Sequence, residues 1–335
     1  MALTLNELYK QSRDPLQQGI IANLLRKSDL IGLIPFQNTN ALRVTATRWQ
    51  ADQLPSVAHR RIGASYTEST GKTEQVSETL FILGGEIKID RVLLMDKSVI
   101  EDPVTTQTKQ KTTAMAYEFN NVAINGDHAT DSDTPEGMLK RVSNLPSRMT
   151  VNLASGGDAL KVLASTATEQ SFIDGLHKAV KYVGHRSQSG SSGAPSELDV
   201  TVFIMNEATW LGVGQVLRRV GLLADATDQW DRSFDHFKGA RLLDVGLKAD
   251  QSTEIITSTE DPGDGGSDGS SIYVARFNAD DAFRGLQLNN LAPYEVTGEM
   301  ETAPQMLRRI DWVYGFQQVG QYSLARIKGF KMAAS

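Results

Sequence analysis

The chain has 335 residues, 40% of them hydrophobic, and a formal charge of −6, which allows one large globular domain or two ordinary ones and excludes a disordered chain. The absence of cysteine excludes disulfide frameworks, thiolate zinc sites and cysteine nucleophiles, and the acidic balance argues against tight nucleic-acid binding, which needs a basic face. Because the sequence has neither an apolar run of about 18 residues nor a signal-peptide pattern, we expect a soluble chain that is not secreted and has no membrane partner.

The first segment carries apolar side chains at helical spacing between Leu3 and Leu30. This pattern predicts one or two short amphipathic helices, broken near Pro15. The turn-forming triplet Asn38-Thr39-Asn40 then ends the helical pattern. We expect residues 1–40 to form an arm.

A long two-stranded β excursion is predicted next. Residues 42–49 alternate like a strand, residues 74–95 form the return limb, and residues 50–73 are a polar tip between them. Gly84-Gly85 predicts a bend or bulge in the return limb. Because an isolated two-stranded ribbon is marginal in water, we expect the excursion to lean on another chain. Its candidate intersubunit contacts are Arg43, Arg48, Trp49, Arg60, Arg61, Glu68, Lys72 and Glu74.

One long helix follows the excursion. Asp102 is a good N-cap with Pro103 at the first helical position, and Asn125-Gly126 predicts a left-handed stop, so the helix should span residues 103–124. Its first half is polar and is expected to face other subunits or solvent. Its second half carries a narrow apolar stripe made of Met115, Phe119 and Val122.

The sequence after the long helix predicts first alternating α and β elements and then mainly β strands. A glycine- and aspartate-rich stretch, residues 261–271, predicts a flexible surface loop. The late strands would need an earlier helix to cover them, and the long helix is the candidate. The predicted helices are residues 168–183 and a helix capped by Asn206, and the predicted strands are residues 199–205, 240–247, 254–258, 271–277, 291–298 and 308–328, with a Ser/Gly loop at residues 187–196.

Motifs for chemistry are weak throughout. The five histidines include no His-x-x-x-His pair, so they offer no two metal ligands on one helix face. Asp127, Asp131 and Asp133 resemble the start of a calcium loop, but the expected glycine and closing glutamate are missing. Gly71-Lys72-Thr73 imitates the end of a phosphate-binding loop, but Tyr66 stands where its first glycine should be. We therefore predict no catalytic, metal or cofactor site.

Three aromatic residues near the C-terminus recur at every second position. Trp312, Tyr314 and Phe316 would share one face of a strand. Core packing is the expected role of such a set, rather than stacking on a ligand.

This order of elements resembles the major capsid proteins of tailed bacteriophages, whose Hong Kong 97-like fold is also used by encapsulin nanocompartments. The resemblance implies an α+β fold and rests on element order, on the stretch Asn125-Gly126-Asp127 and on the closing run from Arg309 to Gln317. The implied divisions are an N-terminal arm at 1–40, an E-loop β-hairpin at 41–85, a peripheral domain with a long spine helix at 86–149, an axial α/β domain at 150–258 and a return to the peripheral domain at 259–335.

The resemblance implies assembly rather than catalysis. The chain would form the icosahedral head shell of a virion around double-stranded DNA, assembled in the host cytoplasm from copies of itself in hexamers and pentamers. Its further partners would be a separate scaffold protein, a portal, a decoration protein, and the packaged DNA through loose non-specific contact. Some members of the family crosslink an E-loop lysine to an asparagine of a neighbour. Lys72 is the only lysine of the tip, and its partner asparagine cannot be identified from the sequence.

Two other functions stay open at this point. The first is an encapsulin-like shell, which has the same fold but encloses a cargo enzyme instead of DNA. The second is a soluble α/β enzyme with an unrecognised site, suggested by residues 199–210, where a strand ends in a capped helix.

Overall fold

The computed structural model describes residues 15–49, 55–95, 102–184, 200–227, 233–279, 282–288, 294–299 and 304–332. The start of the predicted arm and the Ser/Gly loop at residues 187–196 lie outside these ranges. The described helices are α1 (Pro15–Lys27), α2 (Asp29–Leu33), α3 (Arg91–Met95), α4 (Pro103–Asn125), α5 (Met138–Ser143), α6 (Thr166–Gly184) and α7 (Glu207–Val220). The described strands are β1 (Phe36–Thr39), β2 (Arg43–Trp49), β3 (Thr73–Thr79), β4 (Phe81–Asp90), β5 (Thr150–Asn152), β6 (Leu160–Lys161), β7 (Val200–Met205), β8 (Ala224–Thr227), β9 (Ser233–Phe237), β10 (Ala240–Asp244), β11 (Ser270–Phe277), β12 (Phe283–Leu288), β13 (Tyr294–Glu299), β14 (Gln305–Gln318) and β15 (Leu324–Lys331).

The long helix α4 begins where the sequence predicts. The Asp102 carboxylate accepts hydrogen bonds from the backbone N–H groups of Val104 and Thr105. The hydrogen bond from the Thr105 hydroxyl is the main reason that the pKa of Asp102 is lowered. The left-handed stop is wrong, because Gly126 has φ −52°. A glycine is needed there because a Cβ would lie 2.3 Å from the Pro135 carbonyl oxygen.

Strand β14 is the centre of the sheet beneath α4. One of its edges pairs with β4. Along its other edge, β14 pairs directly with both β12 and β13. All of these pairings are antiparallel. Phe119 of α4 lies over this sheet and contacts three aromatic rings of β14. The prediction of an aromatic core face is confirmed, since these three side chains are at most 2% exposed: Trp312, Tyr314 and Phe316.

The described part of the predicted arm packs on the chain's own core. The α1 side chains Ile21 and Leu24 are fully buried, and β1 pairs in parallel with β12. The Ser28 hydroxyl donates a hydrogen bond of 2.6 Å to the Asn120 side-chain oxygen in the second half of α4, and both side chains are buried. From α1 onward, residues 15–40 are therefore part of the folded body rather than a free extension.

The return limb differs from the sequence prediction. It divides into β3, which belongs to the ribbon, and β4, which belongs to the main sheet, and its last residues form helix α3 instead of a strand. The bulge expected at Gly84-Gly85 is wrong, because both glycines stay in register with β14. Glycine is needed at both positions because neighbouring atoms leave no room for a Cβ. A Cβ on Gly84 would lie 2.4 Å from the Ile310 carbonyl oxygen, and one on Gly85 would meet the Lys111 side chain at 2.9 Å.

The second half of the chain contains the predicted α/β alternation. Strands β7 and β10 are parallel, and Asn206 caps α7 by accepting a hydrogen bond from the backbone N–H of Thr209. Strand β11 pairs with both β7 and β15, and at Phe277 it reaches β12, so one sheet runs through both regions. The strand predicted at residues 254–258 is wrong. Only a single bridge forms at Glu254, because Ile255 and Ile256 turn into the core.

The glycine- and aspartate-rich stretch at residues 261–271, called the acidic loop below, is held in place by ion pairs. Lys331 of β15 donates to Asp264 at 2.7 Å and to Asp268 at 2.6 Å. Arg326 of the same strand pairs with Glu260 immediately before the loop. The expectation of a flexible loop overlooked these cations because they lie far along the chain, with Arg326 lying 66 residues beyond Glu260.

Candidate intersubunit surface

Strands β2 and β3 form a separate two-stranded ribbon. Their register is regular from Arg43 opposite Thr79 to Trp49 opposite Thr73. Alternate residues share a face in such a ribbon, so one face is half-buried and the other is exposed. The half-buried face consists of Val44, Ala46, Arg48, Glu74, Val76 and Glu78.

The base of the ribbon is held by Arg141 of α5. Its guanidinium donates to both carboxylate oxygens of Glu78, at 2.6 and 3.0 Å. It also donates to the backbone carbonyls of Phe316 and Glu136, at 3.1 and 3.0 Å. Arg141 is 5% exposed and Glu78 is 16% exposed, so this is a nearly buried ion pair with many partners.

A second ion pair lies further along the same face. Arg48 pairs with Glu74 at 2.9 Å and reaches the Gln318 carbonyl oxygen at 3.5 Å. A small apolar cluster of Leu80, Leu286 and Val313 packs against Val44 near the base. The expectation that the ribbon has only another chain to lean on is therefore wrong for β2 and β3, which rest on their own subunit.

Sequence reasoning missed the role of Arg141. The residue it contacts, Glu78, lies 63 positions away, so no local spacing connects the two. One signal was present. Arg141 lies in the short segment Met138–Ser143 between the apolar residues Leu139 and Val142, and a cation in such a place needs a partner when the segment is buried.

The described tip, residues 55–72, behaves differently from the ribbon. Every residue in it is exposed. Its hydrogen bonds, among the described residues, join tip residues to one another, as between Ser56 and Ser69 or from Arg60 to the Ala64 carbonyl. Large apolar side chains are nonetheless present, with Val57 95% exposed and Ile62 completely exposed. The tip thus carries apolar surface that its own subunit does not cover.

The predicted contact residues fall into two groups. Arg48 and Glu74 are brought together at the ribbon face. The remaining side chains that the structure describes project to solvent, with the Arg60 guanidinium 5.3 Å from the centre of the Tyr66 ring. The Trp49 side chain lies outside the described part. The exposed group consists of Arg43, Arg60, Arg61, Glu68 and Lys72.

The weak chemical motifs have structural roles. Thr73 begins strand β3, so no helix N-terminus follows Gly71-Lys72 to bind a phosphate. Asp127 caps its own loop and pairs with Lys140 at 3.1 Å, and this hydrogen bond lowers the pKa of Asp127. Across the described ranges, no three His, Asp or Glu side chains are grouped to hold a metal ion, and no helix is long and apolar enough to cross a membrane.

Solved structures that superpose on this chain include an encapsulin complex and the capsid of a GTA particle. The holo-SrpI encapsulin complex from Synechococcus elongatus PCC 7942 superposes with a TM-score of 0.60 at 12% identity, over 90% of this chain and 87% of that chain. The capsid of a native GTA particle gives 0.57 at 14% identity, over 92% and 90%. A structure of Mycobacterium phage Bobi gives 0.53 at 9% identity, over 91% and 89%.

The sequence comparison adds the role to the fold. Residues 14–167, slightly less than half of the chain, match the family model described as Major capsid protein GP7. The chain is a shell-forming capsid protein with the fold of tailed-phage major capsid proteins. No curated protein matches its sequence. In the described part of the chain, the tip at residues 55–72 is a continuous stretch of exposed surface that assembly could use.

Proposed function

We propose that this capsid protein forms the icosahedral head shell of a tailed phage around double-stranded DNA. Copies would meet in hexamers and pentamers, and the tip of each copy would lie over a neighbour. The exposed apolar side chains of the tip are the single observation that carries this proposal. Fully burying one such side chain contributes about 1.5–3 kcal/mol, and the described part of the subunit leaves Val57 and Ile62 uncovered, so a neighbouring copy would supply this burial.

The division of labour follows the family pattern. Residues 86–149 and 259–335 would form the peripheral domain and residues 150–258 the axial domain at the centre of each capsomer. The exposed polar half of α4 would face other subunits. The further partners would be a separate scaffold, a portal and a decoration protein. Contact with DNA would be loose because the chain is acidic. Assembly in the host cytoplasm would precede packaging. The role is structural and involves no turnover.

An encapsulin-like compartment is the second candidate, because the SrpI encapsulin structure superposes with a TM-score of 0.60. The two shells differ in what they enclose. A head shell is filled with nucleic acid, and a compartment holds a protein cargo. The family match over residues 14–167 favours the head shell.

Expression of the full chain, with and without a co-expressed scaffold protein, tests the proposal. Negative-stain electron microscopy should show closed shells in at least one condition, and subunits lacking residues 50–73 should stay folded but form none. Size-exclusion chromatography that finds only monomers of the full chain in both conditions would overturn the assembly role. Particles from infected cells should absorb strongly at 260 nm, whereas a protein cargo without nucleic acid would favour the compartment.

A further inference from the structure

The contact between Arg141 and Glu78 lies at the point where the ribbon leaves the sheet. Glu78 is opposite Val44, in the second residue pair from the base. The tip lies at the far end of two seven-residue strands, about 20 Å away at about 3.3 Å per residue. A rotation of about 15° at the base would therefore move the far end of the ribbon by about 5 Å, which is enough to miss a partner surface.

Arg141 is well suited to fix this angle. A guanidinium is planar and its N–H groups form a rigid fork, so a two-oxygen contact with a carboxylate sets direction as well as distance. Arg141 also donates to the carbonyls of Phe316 and Glu136, which belong to the sheet and to the segment before α5. The ring of Phe283 lies 6.0 Å from the guanidinium carbon. The guanidinium is thus held by two backbone carbonyls of the subunit body while it binds Glu78.

The other contacts of the ribbon hold it less firmly. The hydrogen bond from Arg48 to Gln318 is 3.5 Å long, and Glu74 is 42% exposed, so this pair is partly screened by water. Contacts of Val44 with the small cluster at the base are apolar and non-directional. Since a two-stranded ribbon has little stability of its own, its direction depends on the directional contact at Glu78.

We propose that Arg141 is the positioning residue of the ribbon, which sets the angle at which the tip meets the neighbouring copy and thereby the curvature of the shell. This inference rests on the proposed function. It predicts that weakening the contact changes shell geometry more than subunit stability. A purely structural role for Arg141 would instead lower the stability of the whole subunit.

Glu78→Gln is the main test, because glutamine keeps the shape of the side chain and removes its charge. Glu86→Gln is the matched control, since Glu86 pairs with Arg309 on the exposed face of the neighbouring strand β4. Hydrogen–deuterium exchange of unassembled subunits should become at least severalfold faster in β2 and β3 of Glu78→Gln and should increase much less in α4, where only the global cost of the unpaired Arg141 cation acts. Electron micrographs should show a broadened or shifted distribution of shell diameters for this variant alone.

Arg141→Lys gives a second measurement. A lysine keeps the charge but forms one point contact, so the same broadened diameters are expected if direction is what matters. Shells of unchanged, uniform diameter from Glu78→Gln would overturn the inference while leaving the proposed function intact. Equal acceleration of exchange in α4 would also overturn it, because the contact would then be structural only. Absence of shells from the unaltered chain and from Glu86→Gln would instead count against the proposed function, and exchange would still test the ribbon contact.

Discussion

The ring of Phe36 lies directly against Gly285, at a position where a Cβ on residue 285 would be 2.4 Å from the ring. The two residues are neighbours across the parallel pair of β1 and β12. The same ring is 5.3 Å from Trp312 and 6.2 Å from Phe119, measured between ring centres. Glycine at this position therefore allows the segment before the ribbon to insert an aromatic ring into the core beneath the long helix.

Gly285→Ala should destabilise the subunit by about 1–3 kcal/mol, because the added methyl group cannot fit without moving Phe36 and the rings beside it. Urea unfolding of unassembled subunits, followed by tryptophan fluorescence, measures the change. Gly298→Ala is the control, since Gly298 also lies in a strand and a Cβ there would meet no atom within 4 Å. Equal stability of the two variants would contradict the proposed close contact.

Ile62→Asp should leave the stability of the isolated subunit unchanged and abolish or greatly reduce assembly. The side chain is fully exposed in the subunit, so the substitution removes no internal contact. At an interface between copies it would bury an unpaired carboxylate, which is strongly unfavourable. Thermal unfolding and light scattering of the same preparation measure the two effects.

The control for this substitution is Thr70→Asp, which adds the same charge at another exposed position of the tip. It should assemble far better than Ile62→Asp if the apolar surface is what the neighbour recognises. A similar loss of assembly in both variants would show that charge repulsion dominates. Normal shells from Ile62→Asp would remove the main support for the tip as an intersubunit contact.

The strength of the ion pairs between Lys331 and the acidic loop should depend on pH. A hydrogen bond from the Lys331 ammonium lowers the pKa of Asp264 below its ordinary value of 3.8. A carboxyl group with a lowered folded pKa stabilises the fold above its unfolded pKa, and this contribution disappears as the pH falls through the folded value. The loop should therefore be held at pH 7 and released progressively below about pH 4.

Lys331→Met separates this effect from general acid unfolding. At pH 7 it should speed hydrogen exchange of residues 260–269, after correction for the intrinsic pH dependence of exchange, and at pH 3 its difference from the unaltered chain should shrink. Lys328→Met on the same strand should have no such effect on the loop. If Lys331→Met changed the exchange rate of residues 260–269 by the same factor at both pH values, the contact between Lys331 and the loop would not be ionic.

Local chemistry in the sequence predicted the elements whose ends are set by neighbouring residues. Asp102-Pro103 marked the start of α4, and Asn206 marked the start of α7, because a cap acts within one turn of its own position. The alternation of residues 42–49 and the return limb at residues 74–95 likewise predicted the ribbon, although only the first part of that limb belongs to it. These signals need no knowledge of the rest of the chain.

Glycines and buried ion pairs were beyond such reasoning. Gly84, Gly85 and Gly126 were read as bends or stops, but each is small because another backbone or side chain passes close to it. A glycine in the sequence does not distinguish a special φ from a close approach. The Arg141 contact was missed for a related reason, since only the tertiary fold brings α5 to the base of the ribbon.

Arg219→Ala should destabilise the subunit by about 1–3 kcal/mol, because it would leave a buried carboxylate without its cation. Glu169 in the first turn of α6 is 1% exposed and pairs with Arg219 in the last turn of α7, which is itself half exposed. Urea unfolding of unassembled subunits measures the change in the free energy of unfolding.

Arg218→Ala is the control, since Arg218 is an exposed neighbour on the same turn. This substitution should lower the free energy of unfolding by less than about 0.5 kcal/mol. The double variant Glu169→Gln with Arg219→Ala should recover part of the loss, because a neutral amide is cheaper to bury than an unpaired charge. Equal costs for the two arginine variants would show that the pair contributes no specific stability.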